Sequence, residues 1–117
     1  MKIVVIGNRT GWSYDFVRKT LKQHNVTNTD TIISGGADGI DTFAQRYAKE
    51  IGAKMVIYYP NPTMSSPQRY YNRNYTIVSN GDKIIAFNKN NNPRTGTSNA
   101  INQAKKLMKE VIIIEND

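Results

Sequence analysis

No cysteine occurs among the 117 residues. That absence excludes a disulfide framework and a thiolate metal site. Histidine occurs once, at His24, near the end of an expected helix, where it reads as structural. No HExxH, no histidine pair and no carboxylate cluster stands at ligating spacing, so no metal site is expected. No apolar run approaches the length of a membrane span. The opening stretch Met1 to Arg9 is too short an apolar run for a secretory signal and carries no small-residue cleavage pattern. A soluble, cytoplasmic chain without a membrane partner is therefore expected. Two familiar phosphate-loop patterns are also missing: neither GxGxxG nor GxxxxGK[ST] occurs, so neither assignment follows.

Acidic residues are the scarcer charge, nine against sixteen Lys and Arg, for a formal net charge of +7. A basic balance favours anionic partners such as nucleotides, nucleic acid or acidic surfaces. The positive charges at Arg18, Lys19, Lys22, Lys49, Lys54, Lys83, Lys105, Lys106 and Lys109 are scattered. They form no block of the kind found in nucleic-acid-binding tails.

The length fits one domain over residues 1–117. Lys2 to Ile6 is a continuous apolar run stopped by Gly7, as in a strand buried on both faces. Gly11 to Asn25 reads as a helix, with Ser13 as its cap and Tyr14, Val17 and Leu21 on one face. Thr31 to Ser34 is a short strand ending in a glycine pair. Ile40, Phe43, Ala44, Tyr47, Ala48 and Ile51 then repeat at helical spacing, and Gly52 stops the helix. Lys54 to Tyr58 is a third strand, and residues 59–70 are a polar, proline-bearing loop long enough for a functional role. A helix over Tyr71 to Ser79 follows, with Tyr71, Tyr75 and Val78 on one side. Lys83 to Phe87 and Val111 to Ile114 are strands. Between them lies a helix opening at Gly96-Thr97 whose buried face is Ala100, Ile101, Ala104, Leu107 and Met108.

This alternation predicts an α/β domain in three layers: a five-stranded parallel sheet of order 3-2-1-4-5 with helices on both faces. Ligands bind such sheets at the carboxyl ends of the strands, near the point where strand order reverses. The loops gathered there hold nearly all the chemically unusual residues. Gly7, Asn8 and Arg9 follow the first strand. Ser34, Gly35, Gly36, Ala37, Asp38, Gly39 and Asp41 join the second strand to its helix. Glycines allow close backbone approach, and exposed N–H groups at a helix start favour an anion. A carboxylate at Asp41 is favourable in a first helical turn without any ligand and would repel a phosphate. It suits a ribose hydroxyl or a subunit contact better. Gly96, Thr97 and Ser98 form a second such helix start, with Asn88 just upstream. Arg9, Arg69, Arg73 and Arg94 are placed on the same edge, with the pair Arg73-Asn74 at a helix start. Arginine forks hold phosphate in a bidentate manner. Tyr58, Tyr59, Tyr70 and Tyr71 bracket the proline loop, in place to stack on a base or to pack in the core.

Taken together these motifs resemble the SLOG superfamily, named after the Smf/DprA and LOG proteins, and within it the small YspA-like branch. The resemblance rests on Gly7-Asn8-Arg9, on Gly35 through Asp41, on Arg73-Asn74 and on Gly96-Thr97, in that order along the chain. It implies a Rossmann-like fold that binds nucleotides or nucleotide-derived molecules, in a homo-oligomer. The LOG branch cleaves nucleoside monophosphates with a PGGxGTxxE motif. Here Pro93 to Ala100 stands in its place, the glycine pair is incomplete and Ala100 replaces the glutamate. The DprA branch binds single-stranded DNA.

Three functions follow as expectations. The first is a binding or sensing module for a nucleoside phosphate or an ADP-ribose-like molecule, with no other cofactor. The second is a phosphoribohydrolase-type enzyme using Asp38 or Asp41 as acid or base. The third is a single-stranded nucleic-acid binder, which would gain if the scattered lysines formed one continuous groove.

Overall fold

The computed structural model describes residues 1–117. Its strands are β1 (Lys2–Gly7), β2 (Thr31–Gly35), β3 (Lys54–Tyr58), β4 (Lys83–Phe87) and β5 (Glu110–Ile114). They form one parallel sheet in the order β3-β2-β1-β4-β5, as the alternation of elements predicts. The central place of β1 follows from its sequence. Ile3, Val4, Val5 and Ile6 point alternately to both faces, and all four are buried. The edge strands β3 and β5 carry only partly buried residues.

Four helices cover the sheet: α1 (Tyr14–Gln23), α2 (Ile40–Ile51), α3 (Gln68–Ser79) and α4 (Gly96–Lys106). The core is split by the sheet. Val5, Leu21, Ile40, Tyr47 and Phe87 fill one side. Val4, Ile33, Ile77, Val78 and Ile101 fill the other. Each such side chain contributes about 1.5–3 kcal/mol when fully buried.

The helix limits differ from the sequence reading in three instructive places. First, α1 begins at Tyr14, because Gly11 takes φ +93° and the Ser13 hydroxyl accepts from the Phe16 N–H as the cap. Second, α3 begins at Gln68, with Pro67 directly before it. Proline is tolerated there because a helix start needs no N–H from it. Arg69 and Tyr70 are therefore helical, and Arg73 lies in the second turn instead of at the helix start. The buried face of α3 is Asn74, Ile77 and Val78, while Tyr71 and Tyr75 are exposed. Third, α4 stops at Lys106, and Met108 is 92% exposed with φ +58°. The N–H groups of Met108 and Lys109 return to the carbonyls of Lys105 and Ala104. That bond pair is a Schellman closure, and it turns Met108 away from the core.

Candidate ligand cleft

A cleft of about 690 Å³ opens at the carboxyl ends of the strands. Its lining includes Ile6, Gly7, Asn8, Arg9, Thr10 and Gly11 after β1, and Ala37 and Asp41 at the start of α2. Tyr70, Arg73, Asn74 and Ile77 of α3 form one wall. Lys89, Asn92, Thr95, Gly96, Thr97 and Ala100 form the other.

The start of α2 is closed by the chain's own carboxylate. Asp41 is 5% exposed. Its Oδ1 accepts from the Ser34 hydroxyl at 3.0 Å and its Oδ2 from the Ala37 N–H at 3.2 Å. Burial pushes the Asp41 carboxyl above its ordinary range, against the pull of Ser34, the Ala37 N–H and the charges of Arg73 and Arg9. Ser34 also donates to the Val5 carbonyl. A hydroxyl has one proton, so at any moment Ser34 donates either to Val5 or to Asp41.

Gly35 lies between Asp41 and Arg73. A Cβ on it would stand 2.5 Å from Arg73 Nη1 and 2.9 Å from Asp41 Oδ2, so only glycine lets the two groups approach. Gly39 takes φ +76° and packs on the backbone of Asn8 and Arg9. Gly36 lies under the ring of Tyr59. Of the residues that the sequence places in this loop, only Ala37 and Asp41 reach the cleft; Ser34, Gly35, Gly36, Asp38 and Gly39 do not line it.

The start of α4 is open. Thr95 is its cap, and the Thr95 hydroxyl accepts from the Ser98 N–H at 3.0 Å. The N–H groups of Gly96 and Thr97 have no partner within the chain. Nothing stands within 4 Å of where a Gly96 Cβ would be. Thr97 is 8% exposed, lines the cleft and makes no side-chain hydrogen bond. Ser98 is equally buried but lies outside the lining.

Arg73 faces the cleft half-buried, its Nε donating to Asn74 Oδ1 at 3.2 Å. Burial lowers its pKa, Asp41 opposes that, and Arg9 adds repulsion. Asn74 in turn donates to the Gly96 carbonyl and to Asn99 Oδ1, tying α3 to the start of α4. Arg69 lies outside the cleft, its guanidinium carbon 5.1 Å from the centre of the Tyr70 ring. Arg94 is exposed and also outside it.

Asn88 is fully buried and works as a connector. Its Oδ1 accepts from Asn8 Nδ2 at 3.1 Å and from the Thr95 hydroxyl at 2.9 Å. Asn8 Oδ1 accepts from Trp12 Nε1 and from the Lys89 N–H. This network fixes the floor between the two helix starts. Trp12 and Lys89 are its members that sequence reasoning missed. Lys89 lines the cleft, with its Nζ 4.2 Å from the centre of the Trp12 ring. Its place directly after Asn88, at the end of β4, was the available signal.

A profile of the YspA, cpYpsA-related SLOG family matches residues 1–63, just over half of the chain. The chain belongs to this family. No curated protein matches in sequence. Among solved structures, DNA processing protein A from Streptococcus pneumoniae is similar with a TM-score of 0.81 at 20% identity, over 99% of this chain and 50% of that one. DNA processing protein A from Helicobacter pylori, described for its single-stranded DNA binding mode, gives 0.75 at 20% identity, over 100% of this chain and 66% of that one. The structural-genomics protein TM1055 gives 0.68 at 20% identity, over 94% of this chain and 71% of that one. At this identity the likeness is one of fold. The SLOG chain spans half of the pneumococcal protein and about two thirds of the other two.

Proposed function

We propose that this SLOG-family chain binds a small phosphate-bearing ligand, a nucleotide or nucleotide derivative, with its phosphate at the start of α4. The observation that carries the reading is the Thr97 hydroxyl, which has no partner within the chain and lines the cleft beside two free N–H groups. The helix dipole favours an anion at this end. Arg9 and Arg73 supply positive charge to the same cleft, while Lys89, also in its lining, is paired with Asp117 at 3.0 Å. Ala100 is part of its wall, where a methyl group relays no proton. The reading is therefore one of binding instead of glycosidic hydrolysis. A thermal-shift series with nucleoside mono- and diphosphates, NAD and ADP-ribose tests it. A ligand present at about 100 times its Kd adds roughly 2.7 kcal/mol of stability. Failure of every phosphate-bearing compound to raise the melting temperature overturns it.

A second reading is single-stranded nucleic-acid binding, supported by the +7 charge and by the likeness to the DNA processing proteins. It predicts that oligonucleotide affinity falls steeply with added salt. The first reading predicts that a mononucleotide competes with the oligonucleotide.

A further inference from the structure

Asp41 is the one carboxylate among the twenty residues that line the cleft, beside the cations Arg9, Arg73 and Lys89. A negative side chain weakens a phosphate site, so its presence calls for a different contact. Each of its oxygens takes one hydrogen bond from the chain, from Ser34 and from the Ala37 N–H. A carboxylate oxygen accepts about two, so one acceptor position remains on each. Arginine does not use them: no ion pair within 4 Å includes Asp41. What a buried carboxylate accepts most readily from a polar ligand is a neutral hydroxyl donor. Two free positions match a vicinal diol.

The open anion seat lies at the other end of the cleft. Asp41 is tied to β2 through Ser34, and α4 follows β4, with β1 between them. Two strand spacings amount to roughly 10 Å. A pentose phosphate, with a hydrogen bond of about 2.8 Å at each end, spans such a gap. Between the two ends lie Gly7 and Asn8, which place no long side chain in the way.

We infer that Asp41 reads the ribose hydroxyls of a ligand whose phosphate sits at Gly96 and Thr97, so that the cleft selects a ribose phosphate over its 2-deoxy counterpart. The inference rests on the phosphate reading above and adds the sugar to it. Asp41 is then a specificity-determining residue, in addition to closing the start of α2.

The test compares inorganic phosphate, ribose 5-phosphate and 2-deoxyribose 5-phosphate, titrated against the whole chain and followed by NMR. The expected result is a preference of about 10- to 100-fold for the ribose compound, the order of effect when a buried acceptor loses its donor. Asp41→Asn should reduce that preference to within about threefold while leaving affinity for inorganic phosphate unchanged or higher. Equal binding of the two sugar phosphates by the unaltered chain overturns the inference, and that outcome needs no variant to fold. A ribose preference that persists in Asp41→Asn removes Asp41 from the role. A variant that loses all three probes in equal measure shows a carboxylate that only positions Arg73, which also overturns it. If none of the three binds the unaltered chain, the phosphate reading itself fails, a result distinct from the others.

Discussion

At the start of α2 the chain supplies its own anion; at the start of α4 it supplies none. Both segments run from a strand through glycine into a helix, and both look like phosphate loops in sequence. In the first, Asp41 reaches back to the Ala37 N–H, and the glycines face Arg73, Tyr59 and the backbone of Arg9. In the second, Gly96 faces open space and Thr97 keeps its hydroxyl free in the cleft. A glycine-rich helix start is thus an anion seat only if no carboxylate of the same turn fills it.

The sharpest way to break this comparison is substitution of a glycine in each loop. Gly35→Val forces atoms onto Arg73 and Asp41, whose places are set by burial and bonding. It should cost about 3 kcal/mol of stability, seen as a fall in melting temperature. Gly96→Val meets nothing. It should change stability by less than about 1 kcal/mol while lowering phosphate affinity at least about tenfold, because the side chain covers the free N–H groups. If the two variants behaved alike, the distinction between a closed and an open start would fall.

Next in size are the side chains at the open seat. Thr97→Val keeps the shape and removes the hydroxyl, and Arg73→Ala removes the half-buried guanidinium. Each should weaken binding of a phosphate ligand by about 1.5–3 kcal/mol by calorimetry, the range for hydrogen bonds to charged groups. An unchanged affinity in both would move the phosphate elsewhere.

How much of this could be read beforehand depends on the kind of signal. Strand order followed from apolar runs such as Lys2 to Ile6, because a two-faced buried strand belongs in the middle of a parallel sheet. Arg73 and Thr97 were legible as residue types at loop ends. The orientation of the glycines in the α2 loop was not, since it depends on Tyr59 and Arg9 arriving from other loops. Trp12 and Lys89 were missed for a similar reason. A lone tryptophan has no period, and the one signal for Lys89, its place just after β4, is submerged in an asparagine-rich tract. Met108 was misplaced because helical periodicity does not foresee a left-handed closing turn.

A smaller effect concerns pH at the closed start. The Asp41 pKa is raised in the folded chain, mainly by burial. The folded state then holds its proton more tightly than the unfolded one. The stabilisation from that proton is complete below the unfolded value and is lost as pH rises through the folded value. Asp41→Asn lacks this dependence, so its stability relative to the unaltered chain should improve as pH rises through that window. Urea melts across the acid range check the sign. The smallest effect is expected at Lys105, Lys106 and Lys109, none of which lines the cleft. Their joint neutralisation should leave mononucleotide affinity unchanged within about twofold. A steep loss would favour polyanion binding instead.

The most direct measurement of the central claim is a titration of the nitrogen-15-labelled chain with inorganic phosphate, followed amide by amide. The open-start account predicts the largest shifts at the Gly96 and Thr97 N–H groups, with the Ala37 N–H, already bonded to Asp41, moving little. Dominant shifts at Ala37 through Asp41, or shifts spread over the surface lysines with none at Gly96 and Thr97, would contradict it.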